Sequence, residues 1–292
     1  MNKLTTRLAA VAIAVAALGA TSAAWAECLS NAQVGALVDA FNAKQPAPNP
    51  PAMSQADGEC SRAKLLALLD HYYGARAGYK AGLTNPAVQK RFNATAPVWG
   101  VLYEKMLLPS GSSLEAAFGA RPLYEADLLV RVADARINQA KTPDDVIQAI
   151  DQVIPFMELP DLVVQAPPQL NGAAITAINV GARYGVLGQP IAVPVTRGER
   201  FALANAMRDM TVLVKADGVE VDRGKGADVL EHPLNAVVWL VGDLARQGLA
   251  LQPGDLVSLG SFSRLLPPKP GMQASVEYLG LPGNPVVSVS FK

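Results

Sequence analysis

Apolar residues recur at helical spacing in the first third of the chain and give way further on to alternation and short unbroken apolar runs. Val34, Leu37, Val38 and Phe41 define one face of a helix over Ser30 to Ala43, with Ser30 as its N-cap. Gln45 to Pro51 carries four prolines and cannot continue it, so an extended connection is expected. Leu65, Leu66, Leu68 and Leu69 place a second helix over Ser61 to Tyr73. Gly78 to Thr84 reads as a short strand ending in a turn, and Val98 to Leu102 and Leu123 to Val132 read as further strands. Thr142 and Pro143 open a helix predicted to run through Val146, Ile147 and Ile150 towards Val153, after which the chain is expected to turn at Pro155.

Gln165 to Leu170 is a proline-broken loop, and the apolar run Ala173 to Val180 is read as a buried strand. Val212 to Val221 folds back on Asp217-Gly218, a turn pair that favours a hairpin. A helix beginning at Pro233 presents Leu234, Val237, Val238, Val241 and Leu244 and ends near Gln247-Gly248. Leu256 to Leu259, Ala274 to Leu279 and Val286 to Phe291 complete the strands. Many strands with a few interspersed helices indicate an α+β chain built on a rolled or sandwiched sheet, behind a small helical preface.

The first residues stand apart from this pattern. Lys3 and Arg7 precede the apolar run Leu8 to Leu18, and Ala24-Trp25-Ala26 supplies small residues for signal-peptidase cleavage. The expectation is a signal peptide over residues 1–26, a helical region over 27–77 and one larger domain over 78–292; a retained N-terminal anchor is the alternative. The apolar run is short for a membrane span. Export to the periplasm or medium follows, with no membrane association after cleavage. Loss of Lys3 and Arg7 leaves 23 basic against 25 acidic residues, a formal −2. That balance gives no electrostatic footprint for nucleic acid, and aromatic residues are too few for a base-stacking platform. Cys28 and Cys60 are the two cysteines of the chain. In an oxidising compartment they read as one disulfide, and two free thiols are the alternative.

Candidate chemistry begins with Glu125 and Asp127. Residues two apart on a strand share a face, so these carboxylates would stand side by side while Tyr124, Ala126 and Leu128 point the other way. Such a pair repels itself unless a cation intervenes. Glu158, in the apolar stretch Ile154 to Glu158, would complete an all-oxygen set suited to Mg²⁺ or Mn²⁺. A solvated strand face is the alternative for the pair. Lys80 lies among Gly78, Tyr79, Ala81, Gly82 and Leu83, where it is either desolvated for proton transfer or snorkels to solvent from a strand end. Ser261, in Gly260 to Arg264, either binds a carboxylate or belongs to an ordinary exposed turn. His71 and His232 are read as structural. Neither a Gly-Lys-Ser/Thr phosphate loop nor a Gly-x-Gly-x-x-Gly run occurs.

Taken in order, Gly78-Tyr79-Lys80-Ala81-Gly82-Leu83-Thr84, Glu125-Ala126-Asp127, Ile154 to Glu158, Asn179 to Gly188, Pro233 to Leu240, Gly254-Asp255 and Gly260 to Gly271 resemble one family. It is the 2-keto-4-pentenoate hydratase and 4-oxalocrotonate decarboxylase branch of the fumarylacetoacetate hydrolase superfamily. The resemblance implies that superfamily's C-terminal-domain β-roll, homo-oligomers and a metal-dependent hydro-lyase acting on small 2-hydroxydienoic or 2-oxo-enoic acids. It places Glu125, Asp127 and Glu158 on a divalent metal, Mg²⁺ or Mn²⁺. It places Lys80 as the acid/base beside a small keto-acid substrate, and Leu83 and Ser261 near that substrate's carboxylate. Ile178 stands where hydratases commonly carry an Asp, and Gly260-Ser261-Phe262 is closer to the decarboxylase pattern. A 4-oxalocrotonate-type decarboxylase and an exported keto-acid binding protein are therefore the alternatives.

Overall fold

The computed structural model describes residues 28–292; the leader expected over residues 1–26 lies outside the described residues. Two helices come first, α1 (Asn31–Ala43) and α2 (Gln55–Tyr73). Ser30 and Ser54 cap them in reciprocal capping boxes with Gln33 and Asp57. The Ser54 box explains why α2 starts six residues before the expected Ser61. Cys28 and Cys60 are bonded to each other, with their Cα atoms 5.6 Å apart, which ties the lead-in of α1 to the first turns of α2.

The chain continues through β1 (Arg76–Gly82), α3 (Pro86–Arg91), β2 (Val98–Tyr103), β3 (Leu107–Pro109), β4 (Ser112–Leu114) and β5 (Glu125–Val132). Then come α4 (Pro143–Gln148), β6 (Ile150–Leu159), α5 (Gly172–Ala177), β7 (Tyr184–Leu187), β8 (Ile191–Ala192) and α6 (Arg197–Asp209). The C-terminal part holds β9 (Thr211–Ala216), β10 (Val219–Lys225), α7 (Asn235–Arg246), β11 (Leu256–Ser258), β12 (Gln273–Leu279) and β13 (Val286–Phe291).

The strands make two sheets. The larger runs β2-β1-β11-β5-β6-β7-β3, with β8 added to β6; the smaller runs β10-β9-β12-β13-β4. The outermost strands of the larger sheet, β2 and β3, are separated in the chain by only Glu104–Met106. A three-residue link cannot span a flat seven-strand width of roughly 29 Å, so the sheet rolls until its edges approach. Ala126, Leu128, Val130 and Val132 on one face of β5 are fully buried, as are Val212, Val214, Ala274, Val276 and Tyr278 of the smaller sheet. Each fully buried Leu or Val contributes roughly 1.5–3 kcal/mol relative to exposure. The architecture is the expected α+β mixed β-roll.

Several expectations need correction. Ala173 to Val180 is not a strand: Asn171 accepts from the Ala174 N–H at 2.8 Å and caps the short buried helix α5. The α4 helix stops at Gln148, and Ile150 and Val153 point into the core from β6 instead. Pro155 does not turn the chain, because β6 passes straight through it. Its carbonyl accepts from Gly188 at 2.8 Å on the side where β8 pairing has ended at Val153 and β7 pairing begins at Phe156. No ladder bond is asked of the missing N–H there. The sequence reading also passed over α6, whose start is written in Thr196 and Glu199.

Candidate functional site

In the β5–β6 ladder Glu125 stands directly opposite Glu158, and Asp127 opposite Phe156. Directly opposed residues share a face, so all three acids lie on the same side of the rolled sheet. That side is not solvated. Asp127 and Glu158 are fully buried, and Glu125 is half-buried.

Lys80 enters from β1 on the same side and is 3% exposed, which excludes a snorkelling head. Its ammonium donates to Glu158 Oε1 and to the Val180 carbonyl at 3.0 Å. Asp127 is held differently. Its carboxylate accepts from the Ser258 hydroxyl, from the Leu128 N–H at 2.6 Å and from the Gly260 N–H at 3.0 Å. Beneath it the Tyr278 hydroxyl, from the smaller sheet, donates to the Asp127 backbone carbonyl at 2.6 Å and accepts from the Phe156 N–H at 3.1 Å.

Three carboxylates therefore share a buried face with one ammonium. Burial, then the nearby Glu158 charge, pushes Asp127 up to about 7. Burial and Glu158 likewise push Glu125 well above the ordinary carboxylate range, opposed by Lys80 and the Ser261 hydroxyl. The excess of negative charge is what a hard cation with oxygen preference relieves, and the donor set is all oxygen. Among the described residues no three His, Cys, Asp or Glu side chains stand ready-converged for an ion. Lys80 engages Glu158, and Ser258 with the backbone amides engages Asp127, so two of the three acids are held by protein groups while Glu125 faces the cavity.

Glu125 and Lys80 open onto a cavity of about 460 Å³ that Leu83, Phe92, Ile175, Val180, Ser261 and Phe262 also line. Leu83 has a left-handed backbone (φ 55°) at the exit of β1. Ser261 belongs to a loop stitched along β5: the Phe262 N–H donates to the Ala126 carbonyl at 2.9 Å, and the Ala126 N–H donates to Ser263 Oγ at 3.0 Å. Ser261 is thus part of the cavity wall rather than a free surface turn. Arg91, Asp222, Arg223 and Arg264 line the cavity as well; Arg91, Arg223 and Arg264 are exposed there, and Asp222 is half-buried. A larger groove of about 850 Å³ lies at the other end of the same strands; of its charged residues, Arg76 pairs with Asp255, and Arg131 pairs with Asp151 outside the groove lining.

Sequence reasoning missed Ser258, Tyr278 and Val180. A serine three positions before a proposed substrate serine carries no motif, and Val180 reaches Lys80 through its backbone carbonyl, which no side-chain pattern marks. Neither histidine lines the cavity: His71 is exposed on α2, and His232 Nδ1 accepts from the Leu234 N–H at 3.1 Å.

No family model matches the chain. The 2-oxo-hept-4-ene-1,7-dioate hydratase of Escherichia coli is 31% identical over 209 residues, covering 69% of this chain and 74% of that enzyme. The 4-oxalocrotonate decarboxylase of Pseudomonas putida is 28% identical over 206 residues, 70% of this chain and 74% of that one. The chain belongs to the hydratase and decarboxylase branch of the fumarylacetoacetate hydrolase superfamily. The superfamily fold extends over nearly all of it. The 4-oxalocrotonate decarboxylase from Pseudomonas putida G7, complexed with magnesium and adipate, superposes with a TM-score of 0.77 at 24% identity, covering 91% of this chain and 100% of that one.

Proposed function

We propose that this chain is a metal-dependent hydro-lyase of the 2-keto-4-pentenoate hydratase type, acting on small 2-hydroxydienoic or 2-oxo-enoic acids. The observation that carries the reading is the buried Lys80 ammonium on the same sheet face as Glu125, Asp127 and Glu158, in the wall of the cavity that Glu125 also lines. Glu125, Asp127 and Glu158 would hold a divalent ion, Mg²⁺ or Mn²⁺; a relative of the same fold carries magnesium. When bound, such an ion supplies Lewis-acid stabilisation of the negative charge that develops on the substrate's C2 oxygen.

The chain's own groups do the rest. Lys80, fixed by Val180 and facing the cavity, transfers the proton on the substrate's carbon chain. Ser261 and the backbone around Leu83 receive the substrate carboxylate at the wall beside Glu125. Phe92, Ile175 and Val180 keep bulk water from the carbon chain and so strengthen every charge interaction at the floor. Ile178 is buried and supplies no acid for water activation, so water is positioned by the remaining polar wall.

The test is the loss of dienol absorbance of 2-hydroxypenta-2,4-dienoate with Mg²⁺ or Mn²⁺ present. Turnover of 4-oxalocrotonate alone, with CO₂ release, replaces the hydratase with a decarboxylase. Metal-dependent binding of oxalate or pyruvate with no turnover makes the chain a binding protein. The protein is read as exported after cleavage at Ala26, which the Cys28–Cys60 bond suits. N-terminal sequencing of the periplasmic or secreted protein should begin at Glu27. It is further read as a homo-oligomer, measurable by light scattering.

A further inference from the structure

Between α5 and β7 three successive residues, Asn179, Val180 and Gly181, have positive φ (55°, 53° and 65°). A left-handed β-branched residue is a genuine outlier, and left-handed residues in sequence accumulate cost. Such a conformation persists only where its surroundings over-determine it, and those surroundings are visible. The Asn179 side chain brackets one residue of β2: its Oδ1 accepts from the Val101 N–H at 2.7 Å, and its Nδ2 donates to the Val101 carbonyl at 3.0 Å. Both sides of the turn are made to fit. A Cβ on Gly100 would come within 2.5 Å of the Asn179 carbonyl oxygen, and one on Gly82 within 2.5 Å of Val180 Cγ1. Gly100 stands directly opposite Lys80 in the β1–β2 ladder. The product of this construction is one carbonyl, that of Val180, which accepts from the Lys80 ammonium at 3.0 Å.

We propose that Asn179 is a positioning residue for Lys80: by clamping Val101 it holds the left-handed turn that presents the Val180 carbonyl as a fixed acceptor. The inference rests on the reading of Lys80 as the proton-transferring group. Lys80 has two anchors, and they differ in kind. Glu158 is one of the acids assigned to a cation, so its hold on the ammonium is exchangeable; the Val180 carbonyl is neutral and stays. With Glu158 engaged by a metal, the turn alone keeps the ammonium at the cavity wall rather than free to swing.

The experiment compares the full chain with Asn179→Gly, which removes the amide clamp yet suits positive φ, so no added backbone strain confuses the result. Folding is checked by circular dichroism. Reductive methylation of Lys80 is then followed residue by residue by mass spectrometry, with exposed Lys141 as the internal reference, with and without Mg²⁺. The expected result is a rise of threefold or more in the Lys80 rate relative to Lys141, larger with Mg²⁺ than without, while Lys141 is unchanged. In turnover of a 2-oxo-enoic acid the same variant should lower kcat tenfold or more and move KM less than threefold. Where Asn179→Gly does not fold, Asn179→Ser carries the test, since the shorter hydroxyl cannot bracket both the N–H and the carbonyl of Val101 and adds no charge; the same threefold threshold applies. A folded variant whose Lys80 rate changes less than threefold overturns the proposal. A wild-type chain that turns over no such acid removes the functional reading instead, and the labelling result still decides the placement of Lys80.

Discussion

Glu125 and Glu158 face each other across the β5–β6 ladder with Lys80 bonded to only one of them, Glu158. Like charges directly opposed across a ladder repel, and burial makes the repulsion stronger. The pair is therefore tolerated only with positive charge at hand, and the asymmetry leaves Glu125 as the acid turned to the cavity.

Removing the ammonium should be costly. Lys80→Met leaves Glu158 buried without its cation and should destabilise the metal-free protein by about 3–5 kcal/mol. Urea unfolding in chelator measures this, and turnover should fall to background. Mg²⁺ is expected to restore part of the lost stability but none of the activity.

Neutralising an acid should act on the metal. Glu125→Gln and Glu158→Gln should each weaken Mg²⁺ or Mn²⁺ binding by tenfold or more, measured by calorimetry. Ser258→Ala removes the hydroxyl that orients Asp127 and should weaken binding by roughly 10–100-fold without touching a ligand. Unchanged affinity in all three variants would remove the cation from this face.

The raised carboxylates set a direction for pH. Asp127 titrates at about 7 in the folded chain and near 3.9 unfolded, so between those values the folded state binds more protons. Its contribution to stability is present below pH 4 and is lost as pH rises through about 7, and Glu125 acts in the same sense. The lowered carboxylates Asp134, Asp145, Asp209 and Glu220 act oppositely, but only below the ordinary carboxylate range. In chelator the melting temperature should therefore decrease from pH 5 to pH 7.5, and added Mg²⁺ should flatten or reverse that slope.

The disulfide closes a separation of 32 residues and should contribute about 3–4 kcal/mol through loop-closure entropy. Cys28→Ser with Cys60→Ser should lower the urea midpoint accordingly. Thiol titration of the denatured, unreduced wild type should find no reactive sulfhydryl.

How much of this was legible in the sequence depended on whether a local signal agreed with its tertiary setting. The Asp217-Gly218 hairpin and α7 carry strong signals, a turn pair and a helical stripe, and form as read. A short, wholly buried segment such as Gly172–Ala177 has no periodicity to report, because every side of it is covered, so its local pattern suggests a strand where the chain makes a helix. Pro155 misled for the opposite reason: its usual meaning is overridden by a gap between two partner strands that no local pattern reveals. At the site, Glu125 and Asp127 declare a shared face by spacing alone. That Glu158 lies directly across from Glu125 is a matter of register, which neither its apolar setting nor the family resemblance states. The support from Ser258, Tyr278 and the Asn179 clamp is long-range and left no trace in the motif.

The acids and the lysine sit on the larger sheet, whereas part of the cavity rim, Asp222 and Arg223, is carried by β10 at the outer edge of the smaller one. On the proposed reading, the reacting groups and this part of the rim would belong to separate walls. Replacements along β10 should then alter the mouth of the cavity while leaving the packing of the floor on the larger sheet intact.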